Sequence, residues 1–179
     1  MVPEGPYGQS KMSAEEFCKQ YYKYYGINTV SIRYHHVIGT RSNSELALAI
    51  FVERILQNKS PEIHGRFENG NFVSCSADYT HINDAIRGTL LGLAKNNGFD
   101  IFNIANEKLT TVLELAEMAI KFLNSNVKPV FTEMLPHETL VHHSDVSKAK
   151  KLLGFEAKIP VETAVKEYVD WRLSYGDNF

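Results

Sequence analysis

Tyr7 and Lys11 stand four residues apart at the start of a segment of good helix formers, so a helix would bring both side chains to one face. A phenol with an ordinary pKa of about 10 is a poor base near neutrality, but a neighbouring ammonium favours the phenolate and brings proton transfer into working range. On its own the spacing is weak, because 9 tyrosines in 179 residues meet lysines by chance and a solvated helix face can carry an incidental pair. The 7 histidines raise a metal site as a second chemistry. His35-His36 and His142-His143 are adjacent pairs, and neighbours in a strand point to opposite faces, so neither pair chelates by itself. With no H-E-x-x-H either, the expectation is no metal, and polar or substrate-lining roles for these side chains. Tyr21, Tyr22, Tyr24 and Tyr25 lack the basic interleaving of a nucleic-acid surface and read as a packed helix surface or an interface.

Composition narrows the field. Lys and Arg number 19 against 21 Asp and Glu, a formal charge of −2, which leaves no basic excess for nucleic-acid phosphates. Hydrophobic residues at 44% and charged residues at 22% suit a globular chain with a core, not a disordered one. No apolar run approaches the length that crosses a bilayer, and Met1 to Pro6 lacks the features of a signal peptide. The expectation is a cytoplasmic protein with no membrane contact and with Cys18 and Cys75 as free thiols.

Positioning these groups requires alternating helices and strands, an α/β class. Helices are expected over 9–25 ended by Gly26, over 45–58 capped by Ser44, from Asn83 or Asp84 to Lys95, after a cap at Thr110 or Thr111, over 147–153 ended by Gly154, and over 161–175. In the third of these, Ile86, Leu90, Leu91 and Leu93 are expected to be buried. Strands are expected over 29–34, 62–64, 100–105 and 127–134. Residues 65–76 read as a loop able to cover a ligand, with at most a short strand near 72–74. Asp145 and Ser147 are expected to cap the helix over 147–153. A Gly-rich phosphate-binding turn between a strand and a helix does not occur, and Gly65 and Gly70 have the wrong flanks for one.

An ordered series of motifs adds to this reading. Pro6-Tyr7-Gly8-Gln9-Ser10-Lys11 resembles the active-site segment of the extended short-chain dehydrogenase/reductases, the NAD-dependent sugar-nucleotide epimerases and dehydratases. Ile32 to Arg41 is similar to the family's following strand and loop, Asp78 to Ala85 to its next helix start, Phe102 to Asn106 to the strand after it, and Ser144 to Phe155 to its C-terminal helix signature. The resemblance runs from Pro6 to Trp171 and corresponds to the C-terminal half of a family member.

It implies the C-terminal part of a Rossmann-like doubly wound domain, residues 1–38 and 79–106, with a small α/β substrate lobe, residues 39–78 and 107–179. It implies that Tyr7 exchanges a proton with a sugar hydroxyl as hydride moves to or from the nicotinamide, while Lys11 also holds the cofactor ribose. His35 and His36 stand where the family has an aromatic residue near the nicotinamide and an Asn near the substrate, which makes His35 a cofactor contact and His36 a substrate contact. Ala77 replaces an Arg that often meets the nucleotide diphosphate; Arg41 or Arg66 can supply that positive charge instead, or can serve surface solubility. The implied cofactor is NAD or NADP in the complete enzyme, with none bound tightly by this chain alone, and the implied partners are a nucleotide sugar and a second copy in a homodimer. The alternative is a truncated, non-catalytic remnant acting as a binding or dimerisation module.

Overall fold

The structure, a computed structural model, describes residues 5–135 and 138–175. Helix α1 (Gly5–Tyr25) ends at Gly26, whose φ of 68° is the left-handed turn a glycine adopts without strain. Strands β1 (Thr29–Tyr34) and β2 (Val37–Ile38) follow, then α2 (Ala47–Leu56), β3 (Glu62–Glu68), β4 (Asn71–Ser74), β5 (Ser76–Asp78), β6 (Thr80–His81) and α3 (Ile82–Lys95). The rest runs β7 (Phe99–Ile104), β8 (Leu109–Thr111), α4 (Val112–Phe122), β9 (Val130–Glu133), β10 (Val141–His142), α5 (Ser147–Leu153) and α6 (Val161–Tyr175).

Two cores organise these elements. In the first, β1 and β7 pair in parallel with Thr29 opposite Phe99. Alternation sends Val30, Ile32, Phe102 and Ile104 to one face, where they pack with Leu91 of α3, with Ala149 and Leu153 of α5 and with Phe155. Phe99 and Ile101 point the other way and line a groove with Met12 and Phe17 of α1. Both faces of the strand pair are therefore covered, as parallel strands require. Helix α5 belongs to this core, although the sequence division puts residues 107–179 with the substrate lobe. The second core gathers α2, α4 and α6 around Ile38, Ile63, Ala77 and Tyr79.

Several local expectations change. Ile86, Leu90 and Leu93 are 49%, 59% and 72% exposed, not buried. Helix α3 turns its small residues inward instead: a Cβ at Gly88 would lie 2.7 Å from Ile104, and one at Gly92 would lie 3.1 Å from Ile32. Its N-cap is His81, whose Nδ1 accepts from the Asn83 amide, and not Asn83 or Asp84. Helix α2 starts at Ala47 without a Ser44 cap, because the Asn43 side chain accepts the Glu45 amide and holds 43–46 in a turn. Residues 65–76 are not a loop but a hairpin, β3 against β4, turned by Asn69 and Gly70 at φ 50° and 81°. Asn-Gly is the dipeptide that such a two-residue turn favours. Strand β9, narrower than the expected 127–134, extends the hairpin by pairing in parallel with β3. Thr111 closes a capping box with Glu114. Asp145 accepts the Ser147 amide at 2.8 Å, while Ser147 itself is the first helical residue and caps nothing. Among the described residues no helix is long and apolar enough to cross a membrane.

The cores meet at the start of α3. Asp84, 2% exposed, accepts the amides of Lys158 and Ile159 at 2.8 Å each and the guanidinium of Arg87 at 2.7 Å. Burial pushes this carboxyl up, but the Arg87 bond and the two amides outweigh burial and hold it below its ordinary range. Its contribution to stability is present above the unfolded value near pH 4 and is lost as pH falls through the lower folded value. Asp84→Ala is expected to cost about 2–3 kcal/mol and to remove part of the acid slope of stability, read from urea unfolding across pH. An unchanged midpoint would exclude Asp84 as the joint.

Candidate active site

Tyr7 lies in the first turn of α1 and is 76% exposed. One turn on, Lys11 Nζ sits 5.3 Å from the centre of the Tyr7 ring, so the spacing does bring the two to one face. No carboxylate lies within ion-pair distance of Lys11 among the described residues. The helix is fixed to β1 by Glu15, which receives both arms of Arg33 at 2.6 Å. That fork raises the guanidinium above its ordinary value.

Strand β1 then delivers His35 and His36, the latter at φ 29°, a conformation uncommon for a side chain with a Cβ. The His36 ring lies 5.6 Å from His35, 5.5 Å from Tyr79 and 5.5 Å from His142, and His35 lies 6.3 Å from His142. Burial, and then the neighbouring imidazoles His35 and His142, push His36 down to about 4 against a smaller opposing effect of Asp78. Burial lowers His35 as well, and His35 Nδ1 finds no hydrogen-bond partner among the described residues. Tyr79 is 5% exposed, and burial, with a smaller effect of Cys75, pushes its phenol up to about 12. Behind the cluster, Asp78 accepts the Ser144 amide at 2.8 Å and faces His143 at 3.1 Å, which holds β10 beside β5.

His36, Tyr79 and His142 line a cleft of about 590 Å³. Its floor is apolar, with Ile38, Leu48, Phe51 and Val112, and its other walls carry Glu45, Arg54, Glu62, His64 and Glu138. His64 meets Glu138 at 2.8 Å, and Arg54 meets Glu62 at 2.7 Å. Of the sequence-predicted residues only His36 lines this cleft; Tyr7, Lys11, His35, Arg41 and Arg66 do not. Arg41 sits in the turn after β2 at φ 63°, and Arg66 lies on β3, half exposed and 3.5 Å from Glu68. Ala77 is in the cleft wall. Tyr79, His142, His64 and Glu138 come together only through strand pairing between distant segments, which no local spacing announces. Among the described residues no group of three or more His, Cys, Asp or Glu is arranged to hold a metal ion.

The family model described as GDP-mannose 4,6 dehydratase matches residues 1–168. A UDP-glucuronate 4-epimerase of Thermodesulfobacterium geofontis is 28% identical over 171 residues, covering 95% of this chain and 51% of that protein. A putative UDP-glucose 4-epimerase of Methanocaldococcus jannaschii is 30% identical, over 94% of this chain and 53% of the relative. Among solved structures, the UDP-glucuronic acid 4-epimerase of Bacillus cereus in complex with UDP-glucuronic acid and NAD superposes with a TM-score of 0.85 at 27% identity, over 98% of this chain and 55% of the other. The chain spans about half the length of the relatives it matches.

His36 makes a pH test of the site's electrostatics. Its folded value lies below the unfolded 6.5, so its contribution to stability is present above pH 6.5 and is lost as pH falls through about 4. His36→Gln is expected to flatten the fall in stability across that window, measured as the urea midpoint at successive pH values. An identical slope in both proteins would mean the ring titrates freely.

Proposed function

The chain belongs to the GDP-mannose 4,6 dehydratase family of NAD-dependent sugar-nucleotide epimerases and dehydratases, and from that premise we propose that it carries the proton-transfer pair and the substrate lobe of such an enzyme. The observation that carries this reading is Lys11 Nζ at 5.3 Å from the Tyr7 ring on an open helix face. In the complete enzyme Tyr7 takes a proton from, or returns it to, a sugar hydroxyl, and the Lys11 ammonium stabilises the phenolate between the two events. Both side chains, free of carboxylate partners among the described residues, are the contacts for the ribose and nicotinamide end of NAD in this reading, with His35 as a further cofactor contact. Bound NAD supplies the hydride acceptor and donor. The cleft under His36 receives the sugar nucleotide, with 39–78 and 107–179, α5 excepted, as the substrate lobe and 1–38 and 79–106, joined by α5, as part of the dinucleotide-binding domain.

A second feature supports self-association into a dimer within the same proposal. No residue of α1 is buried, and Phe17, Tyr24 and Tyr25 are 67%, 68% and 71% exposed, an apolar surface larger than a solvated helix retains. That face also suits the alternative of a dimerisation module without catalysis.

The readings part on activity. In the complete enzyme, Tyr7→Phe is expected to lower kcat by roughly 10²- to 10⁴-fold with little change in sugar-nucleotide affinity, and Lys11→Met to weaken NAD as well. Wild-type turnover by Tyr7→Phe would remove the mechanism. The 179-residue chain alone is expected to bind NAD only weakly, because pyrophosphate affinity depends on amides at a Gly-rich helix start that this sequence lacks. Calorimetric titration checks this, and a low-micromolar dissociation constant would point to a different cofactor pocket.

A further inference from the structure

The cleft is poor in available positive charge. Arg54 is the one Lys or Arg among the described residues that line it, and its guanidinium is engaged by Glu62 at 2.7 Å and by the Ser60 carbonyl at 2.7 Å. Three carboxylates, Glu45, Glu62 and Glu138, share the lining, and Ala77, 4% exposed, adds no charge to it. Arg41 and Arg66, the two candidate substitutes, lie outside it. A diphosphate entering this cleft meets no uncommitted fixed cation from the described residues.

The same lining holds groups that can become cations. His36 and His142 line it with ring centres 5.5 Å apart, and His35 stands behind them at 5.6 and 6.3 Å. We propose that His36 and His142, backed by His35, are the diphosphate-recognition groups of the cleft and that binding a nucleoside diphosphate sugar draws a proton onto them. The inference rests on the cleft being the sugar-nucleotide site.

The surroundings determine what such a proton would meet. From the link between β1 and β2 come His35 and His36; from β5 and the residue after it, Asp78 and Tyr79; from β10 and its continuation, His142 and His143. Asp78 is fully buried and already engaged by the Ser144 amide and His143. Tyr79 is a neutral phenol at physiological pH, raised by burial to about 12. Glu138, also in the lining, is engaged by His64 at 2.8 Å and by the Leu135 amide. A phosphate in the cleft is therefore the counter-ion that makes an imidazolium favourable here. Burial and the adjacent imidazoles keep His36 low, at about 4, in the free protein, so the ring is uncharged before ligand arrives. A bound phosphate raises that value, and the complex then holds more protons than the free protein. Affinity must rise as pH falls, by up to about tenfold per pH unit for each proton taken up.

Titration calorimetry of the 179-residue chain with UDP-glucose, whose diphosphate diester does not titrate between about pH 5 and 8, tests this directly. Runs at about pH 6 and pH 8, each in two buffers of different ionisation heat, yield affinity and proton count together. Expected are uptake approaching one proton and binding at least about tenfold tighter at the lower pH, with His142→Gln reducing both. NMR titration of the imidazole signals in the native chain provides a measurement that needs no variant: ligand should raise the pKa of His36 from its low value. Equal affinity at both pH values with no proton uptake overturns the histidine assignment and leaves the cleft as a sugar-nucleotide site. No binding at either pH overturns the sugar-nucleotide reading, and the histidine assignment with it.

Discussion

One buried carboxylate joins the two cores. Asp84 opens α3, which packs on the β1–β7 pair, and it holds the amides of Lys158 and Ile159, which lead into α6 and the second core. The same helix start is tied to α6 again through His81, whose Nδ1 caps Asn83 and whose Nε2 meets Glu167 at 2.9 Å. A buried charge is costly unless its lone pairs are filled, so this corner tolerates little displacement. Strand β6, which ends at His81, also pairs with β2, and Tyr79 is the residue just before it. The geometry of the histidine cluster thus follows from where α3 begins.

A second constraint comes from side-chain volume. Gly88 and Gly92 let α3 settle directly on Ile104, Ile32 and Val30, and Gly65 plays the same part in the hairpin, where a Cβ would lie 2.3 Å from the Val73 carbonyl and 2.5 Å from the Phe72 ring. Close backbone approach fixes the layers, and Arg33 with Glu15 fixes α1 along the strand that ends at His35 and His36. Tyr7 leads α1, α1 is held to β1 by the Arg33–Glu15 fork, and the chain leaving β1 carries His36 into the cleft lining.

Elements with a strong local signature were legible in the sequence. Thr29–Tyr34, Ser147–Leu153 and Val161–Tyr175 coincide with their expected bounds because β-branched density, Gly154 at φ 63° and helical periodicity act within a few residues. The shared helix face of Tyr7 and Lys11 was legible for the same reason, since one helical turn decides their geometry. The hairpin was misread because its two glycines suggested a loop, although Asn69-Gly70 carries the turn signal. The outward face of α3 was misread because apolar periodicity identifies a stripe without saying that a small-residue stripe beside it makes the closer contact. The cleft was hardly legible at all. His36, His64, Tyr79, Glu138 and His142 meet through β2–β6, β3–β9 and β5–β10 pairings, and long-range register leaves no trace in local spacing.

That difference bears on how such a site can change. The side chain at position 77 can change without moving the backbone, because Ala77 is an internal residue of a short strand whose place is set by pairing on both sides. An arginine at that position would bring its charge at every pH, whereas an imidazole in a half-buried cluster becomes charged only when something stabilises it. The scaffold that aims Tyr7 and Lys11 does not depend on this choice, since Arg33, Glu15 and Asp84 lie outside the cleft. The Tyr7–Lys11 pair and the cleft are thereby separable in this fold: the first is set within one helix, the second by the strands that close the cleft.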